Sequence, residues 1–216
     1  AKAVNEQTKI IFLANPNNPT GTYFSKDELD QFLKVVPQHV LVVIDQAYFE
    51  YMAQADYPNA MEWLSQYPNL IVTFTFSKAY GLAGLRVGYS ISHYEIADLL
   101  NRVRLPFNVN LLALQAAELA VQDKEHIRQV VEMNQAGLAY WYEALENLGL
   151  PCISTCGNFV TIDIKQPAEA VYQQLLAKGV IVRPLVPYGL SHHLRITVGL
   201  PEQNERCLSA LKEVLK

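Results

Sequence analysis

Short apolar runs alternate with amphipathic stretches along the first half of the chain. The runs at 10–13, 40–44, 70–74 and 86–90 are strand-length, which predicts strands, the one at 40–44 buried and parallel. Between and after them, 26–35 and 94–103 repeat apolar residues at three- and four-residue spacing, which predicts helices. Ser25, with Glu28 three residues later, reads as a capping box for the first of these. This alternation predicts an α/β fold with a mostly parallel sheet flanked by helices. From 111 to 148 the chain is dominated by Ala, Leu, Glu and Gln without a proline, and Gly149-Leu150-Pro151 ends the helical pattern. Beyond it come a strand at 159–164, a helix at 168–178, strands at 180–183 and 194–198, and a final helix at 202–215. The series predicts a smaller C-terminal α+β domain, with a larger domain over 1–122 and the smaller one over 123–216.

Composition narrows the class. The 216 residues are 50% hydrophobic and 18% charged, enough to bury a sizeable core. A net charge of −4 and no run of five basic residues leave no electrostatic footprint for nucleic acid. The longest apolar stretches are strand-sized, so the expectation is a cytoplasmic enzyme with no membrane partner. Cys152, Cys156 and Cys207 are odd in number and lack CxxC spacing, which favours free thiols and no metal.

The densest chemistry lies in TFSKAYGLAGLRVGY, residues 75–89, with Ser77-Lys78 followed by Gly81, Gly84 and Arg86. A lysine amine can bond to an aldehyde, while a hydroxyl and a guanidinium bind a phosphate dianion. The glycines allow a sharp turn and close approach of a ligand. The set suits a phosphorylated aldehyde cofactor such as pyridoxal 5′-phosphate (PLP). Asp45 ends the 40–44 run, and ligands in open α/β sheets gather at the carboxyl ends of strands. A carboxylate there can keep a pyridine nitrogen protonated, and Tyr48 can place a phenol beside the ring's 3′ oxygen. The first strand runs into Ala14-Asn15-Pro16-Asn17-Asn18-Pro19-Thr20-Gly21, too rich in turn formers to continue as a strand. Asn18 can offer an amide to the same oxygen. The same loop also reads as a plain strand-to-helix turn.

With ANPNNPTG, VVIDQAYFEY, TFSKAYGLAGLRVGY, RLPFNVN, GNFV and GVIVRPLVPYGLSHHLRITVG in this order, the chain resembles the fold-type I PLP-dependent aminotransferases, in the histidinol-phosphate aminotransferase branch. The resemblance implies that Lys78 bonds to PLP and moves the proton, that Asp45 partners the pyridine nitrogen, and that Asn18 and Tyr48 bind the 3′ oxygen. Ser77 and Arg86 would hold the cofactor phosphate. Arg195 would bind the substrate's carboxylate or phosphate end, Arg183 would assist it, and Asn158 would lie close to substrate. It further implies a homodimer exchanging an amino group between L-histidinol phosphate and 2-oxoglutarate, a step of histidine biosynthesis. Aromatic or broad-specificity transamination and a phospho-amino-acid lyase remain alternatives within the family.

Other readings stand beside these. Arg183 and Arg195 end β-branched strands, where an arginine also commonly meets solvent or a carboxylate. Asn158 and Asn108 can be turn residues, Tyr188 reads as packing, and His192-His193 as a solvated turn before Arg195. Relatives carry a segment before the first strand that supplies a phosphate-binding turn, a ring-stacking aromatic and residues offered across the dimer. The expectation is therefore an N-terminally incomplete large domain, and a non-catalytic fragment with a partial PLP site is the alternative of a different class. Phe74 stands where many relatives have arginine, and Gln46 where glutamate is usual.

Overall fold

Parallel pairing runs through the first three strands of the computed structural model, which describes residues 2–216. Strands β1 (Ile10–Ala14), β2 (Leu41–Asp45) and β3 (Leu70–Thr75) lie parallel, and β4 (Gly88–Ser92) joins β3 antiparallel, in the order β1-β2-β3-β4. The register places Ala14 beside Asp45 and Asp45 beside Thr73, so the carboxyl ends of three strands align.

Helix α1 (Lys26–Val35) begins at the expected capping box. Ser25 Oγ accepts from the Glu28 backbone, and the Ser25 N–H donates to Glu28 Oε2 at 2.8 Å. These bonds from Ser25 hold the Glu28 carboxyl below its ordinary value. Leu29 and Leu33 bury the apolar stripe of α1 against Val42, Ile44, Leu70 and Val72. The alternate residues Leu41, Val43 and Ile71 line an apolar cavity of about 720 Å³ with Leu99, Leu100 and Val103 of α2 (Tyr94–Val103). Period-two alternation thus sends Val42 and Ile44 to the face covered by α1 and Leu41 and Val43 to the opposite face, where α2 buries none of its own residues.

The expected single helical stretch is two helices, α3 (Leu111–Gln122) and α4 (Lys124–Asn147). Asp123 separates them, and its Oδ1 accepts from the His126 N–H at 2.9 Å, capping α4. Ala113 and Ala117 of α3 pack on Phe76 and Val87. The strand expected at 86–90 starts later, at Gly88, because Arg86 is left-handed with φ 54° and ψ 45°, which no ladder residue adopts.

The second sheet is antiparallel throughout. Its order is β5 (Cys152–Ile153), β6 (Phe159–Asp163), β8 (Leu190–Thr197), β7 (Arg183–Leu185). One core joins Trp141 and Leu145 of α4, Val160 and Ile162 of β6, Val171 and Leu175 of α5 (Ala168–Ala177), and Leu208 and Leu211 of α6 (Pro201–Val214). The strand expected at 180–183 is paired only from Arg183. Upstream, the Val180 N–H is spent on the Leu175 carbonyl at 3.0 Å with Gly179 left-handed at φ 73°, the closing bond of a helix C-terminus. Strand β8 is longer than expected and takes in His192 and His193, which are ladder residues, not a solvated turn. All three cysteines are free.

Two compact units result. One contains residues up to Asn17 and Tyr23–Ile127, the other Asn18–Thr22 and Arg128–Lys216.

Candidate active site

The adjacent parallel strands β2 and β3 end in the residues with the most chemistry. Asp45 closes β2 and is exposed, and its Oδ1 accepts from the Ala47 N–H at 3.1 Å. That bond turns the chain sharply past the strand end and leaves the carboxylate with further lone pairs. Gln46 next to it points the other way, fully buried, donating from Nε2 to the Tyr57 hydroxyl at 2.7 Å and to the Pro58 carbonyl at 2.9 Å. A glutamate here has no N–H for either partner, so this chain's amide has a local structural reason. Tyr48 follows, 4% exposed.

Strand β3 leads into the lysine turn. The Ser77 N–H donates to Thr75 Oγ1 at 3.1 Å, the Gly81 N–H to the Lys78 carbonyl at 2.9 Å, and the Leu82 N–H to the Phe76 carbonyl at 2.9 Å. Phe76 and Ala79 are buried on either side of the half-buried Ser77 and Lys78. Lys78 Nζ lies 5.5 Å from the centroid of the Tyr48 ring, within cation–π range. The structure therefore brings Lys78 and Tyr48 together. Gly81 is left-handed and Gly84 is not. Arg86, a few residues on, is left-handed without being glycine, and such strain clusters at functional sites. Its exposed guanidinium is steered by a bond from Nη1 to the Ala83 carbonyl at 2.9 Å.

Three supports of this turn escaped the sequence reading. His126 Nε2 lies 3.2 Å from the Ala79 carbonyl oxygen, one residue beyond Lys78. Phe76 and Tyr80 pack tilted with ring centroids 4.8 Å apart, and Tyr89 lies 5.7 Å from Phe76 and stacks on Phe74 at 5.0 Å. Phe74 is thus an aromatic packing residue, 5% exposed. Glu50 faces this cluster. Burial raises its carboxyl above the ordinary value, and burial together with the Glu50 charge pushes the Tyr80 phenol up to about 12. Local sequence carries no signal for the His126 contact, whose partner lies 47 positions away.

The second unit gathers the remaining residues. Arg195 lies inside β8, not at its end, and its register partners are Thr161 on β6 and Arg183 on β7. Arg195 Nη1 donates to Asn18 Oδ1, its guanidinium carbon lies 5.2 Å from the Phe159 ring, and its Nε is buried without a partner. Arg183 and Arg195 both line a cavity of about 340 Å³ with Tyr172 and Thr197. Asn158 is half-buried at the turn before β6, and its carbonyl accepts from the Val198 N–H at 2.9 Å. Tyr188 belongs to a short 3-10 turn and is exposed.

The Asn18–Thr22 segment is tied to this unit. Thr161 Oγ1 donates to the Pro19 carbonyl at 2.5 Å, and the Cys156 N–H to the Gly21 carbonyl at 2.8 Å. Gly21 is left-handed at φ 75°, and a Cβ there would lie 1.8 Å from Thr155 Oγ1, so only glycine fits.

A lysine at a strand-end turn, a carboxylate on the neighbouring strand and paired arginines agree with what comparison finds, for residues 1–211 match the model of aminotransferase class I and II. The chain belongs to the class I and II aminotransferase family. Among its relatives, histidinol-phosphate aminotransferase 1 of Nitrosococcus oceani is 55% identical over 215 residues, covering 100% of this chain and 58% of that protein. Histidinol-phosphate aminotransferase 2 of Pseudomonas fluorescens Pf-5 is 52% identical over 214 residues, covering 99% and 58%. The crystal structure of histidinol-phosphate aminotransferase from Sinorhizobium meliloti, in complex with pyridoxal-5′-phosphate, matches with a TM-score of 0.88 and 29% identity, covering 95% of this chain and 57% of that one. This aminotransferase chain thus spans about 58% of the length of the curated relatives it matches. Among the described residues, no helix is long and apolar enough to cross a membrane, and no cluster of His, Cys, Asp or Glu is arranged to hold a metal.

Proposed function

We propose that this chain is the part of a PLP-dependent aminotransferase that carries the reactive lysine, acting on L-histidinol phosphate and 2-oxoglutarate to give imidazole acetol phosphate and L-glutamate. The observation that carries the reading is the Lys78 amine set beside the Tyr48 ring, on a turn following the strand next to Asp45, in a chain of this family. The donor set fits PLP: an amine for its aldehyde, a carboxylate for its pyridine nitrogen, a phenol for its 3′ oxygen, and a hydroxyl with a guanidinium for its phosphate. When bound, PLP supplies an aldehyde that bonds to amines and a ring that withdraws electrons from the neighbouring carbon.

The chain's own groups do the rest. Lys78 Nζ holds the cofactor and, once released, carries the proton away from the substrate carbon bearing the amine. Asp45 keeps a proton on the pyridine nitrogen by its negative charge. Tyr48 donates its O–H, and Asn18 an amide N–H, to the 3′ oxygen. Ser77 and Arg86 bind the phosphate, and the left-handed backbone at Arg86 aims that guanidinium. Arg195 and Arg183 bind the anionic end of the substrate: two guanidinium groups in register suit a phosphate dianion, and one suits the carboxylate of glutamate. Asn158 contacts substrate beside them. The relatives' names support the choice of substrate. We read the working enzyme as a cytoplasmic homodimer, a reading supported by the exposed apolar set Leu105, Phe107, Leu111 and Leu112.

The test is borohydride reduction of the folded chain after incubation with PLP, followed by peptide mass analysis. A single phosphopyridoxyl adduct on Lys78, with loss of cofactor absorbance on adding histidinol phosphate but not phenylalanine, is the expected result. An adduct on another lysine overturns the assignment of Lys78. No adduct in the folded chain overturns cofactor binding by this polypeptide and leaves the non-catalytic reading.

A further inference from the structure

Arg195 stands at one end of a chain of contacts whose other end is a buried hydroxyl. Thr161 is 0% exposed. Its neighbours Val160 and Ile162 face the hydrophobic core, so alternation turns Thr161 to the opposite face of β6. Its cross-strand partner on that face is Arg195. This pair grips two consecutive residues of the Asn18–Thr22 segment: Thr161 Oγ1 donates to the Pro19 carbonyl at 2.5 Å, and Arg195 Nη1 donates to Asn18 Oδ1.

The grip has a chemical consequence. With Asn18 Oδ1 taken by a cation that can only donate, the Asn18 amide is fixed with Nδ2 as its outward donor. Arg195, one N–H spent on Asn18 and its plane near the Phe159 ring, keeps a buried Nε–H without a partner and its other N–H groups for an anion. A guanidinium fixed in this way loses less freedom on binding an anion than a mobile one.

We propose that Thr161 is a positioning residue: through the Pro19 carbonyl it sets Asn18, and through Asn18 it sets the Arg195 guanidinium for the substrate's anionic group. The inference rests on the proposed role of Arg195, and deepens it with a residue that touches neither cofactor nor substrate. Removing the hydroxyl leaves the Pro19 carbonyl buried without its donor, which the segment relieves by moving. Asn18 then leaves Arg195, and the arginine swings free.

The test uses the full chain, ¹⁵N-labelled, in three forms: the parent, Thr161→Val, which keeps the shape, and Thr161→Ser, which keeps the hydroxyl. The Asn18 side-chain amide and Arg195 Nε–H resonances are followed while inorganic phosphate is titrated in. In T161V the Asn18 amide is expected to move to the position of a free amide and phosphate to bind about tenfold more weakly, the loss of roughly one hydrogen bond's worth of orientation. T161S is expected to keep the parent values. Unchanged Asn18 resonances in T161V overturn the proposal, and so does a T161S chain that behaves like T161V, because shape and not the hydroxyl would then be responsible. Arg195→Ala tests the underlying reading separately. If it binds phosphate as tightly as the parent, Arg195 is not the anion site, and the proposed positioning for substrate falls with it even where the Asn18 resonances shift.

Discussion

Arg183 and Arg195 stand directly opposite each other across the β7–β8 ladder. Like charges in this position oppose folding by roughly 0.2–1 kcal/mol, and the site they line has a cavity of about 340 Å³ open to an anion. Arg183→Thr is therefore expected to raise the melting temperature slightly at low salt, with the gain fading as salt screens the pair, while phosphate binding weakens. Thermal scans at two ionic strengths and a phosphate titration check both halves. A variant less stable than the parent at low salt would show that Arg183 contributes more by packing than it costs by repulsion.

Glu50 gives the fold a pH dependence of defined sign. Burial raises its carboxyl from the ordinary 4.5, so the folded chain holds this proton more tightly than the unfolded one. Its contribution is fully present below the unfolded value and is lost as pH rises through the raised folded value. Glu50→Gln carries no such loss. The melting temperature of the variant relative to the parent is expected to rise as pH climbs above the ordinary carboxylate range, and a flat difference would place Glu50 in solvent.

Asn204 is a buried junction. It accepts from Trp141 Nε1 at 3.2 Å and from the Gly199 N–H at 2.9 Å, and it donates to the Gly199 carbonyl at 2.9 Å. Asn204→Leu strands all three groups and is expected to destabilise the chain by about 3 kcal/mol, the upper end for orphaned buried polar groups. Urea unfolding of the variant measures it directly.

Cys207 is buried and its thiol is pushed up to about 11 by desolvation. Thiolate is the reactive species, so Cys207 should resist alkylation at about pH 8 in the folded chain and react only once denaturant exposes it. Mass analysis of the cysteine peptides distinguishes this from rapid labelling of all three thiols.

Gly21→Ala meets both a left-handed backbone and Thr155 Oγ1 at 1.8 Å. A loss of about 2–3 kcal/mol is expected, with Thr155→Ala in the same chain restoring part of it. Full restoration would mean that the backbone conformation itself is without strain.

Much of the fold was legible because its signals are local. Leu29 and Leu33 repeat at helical spacing, Ser25 and Glu28 close a capping box, and Val42 and Ile44 alternate with Leu41 and Val43 across the sheet. The reading failed where one residue's backbone overruled its neighbours. Arg86 in the left-handed region delays β4, Asp123 divides α3 from α4, and Val180 spends its N–H on a helix end rather than a ladder. The lysine turn could be read from Ser77, Lys78 and Arg86 because they lie together in sequence. Thr161 could not, since a threonine in a strand looks like any other β-former and its partner is 142 positions away.

The excursion of Asn18–Thr22 into the second unit has a consequence for how the chain is made. Those five residues leave the ribosome well before Thr161 and Arg195, to which they bind and which follow 142 and 177 positions after their partners. Closing loops of that length costs entropy that only the finished second sheet can offset. The first unit can collapse during synthesis, but the Asn18–Thr22 strap must wait, unanchored, for β6 and β8. Docking of this strap is thus a late event in folding, and the setting of Arg195 is complete only when segments 177 positions apart have met.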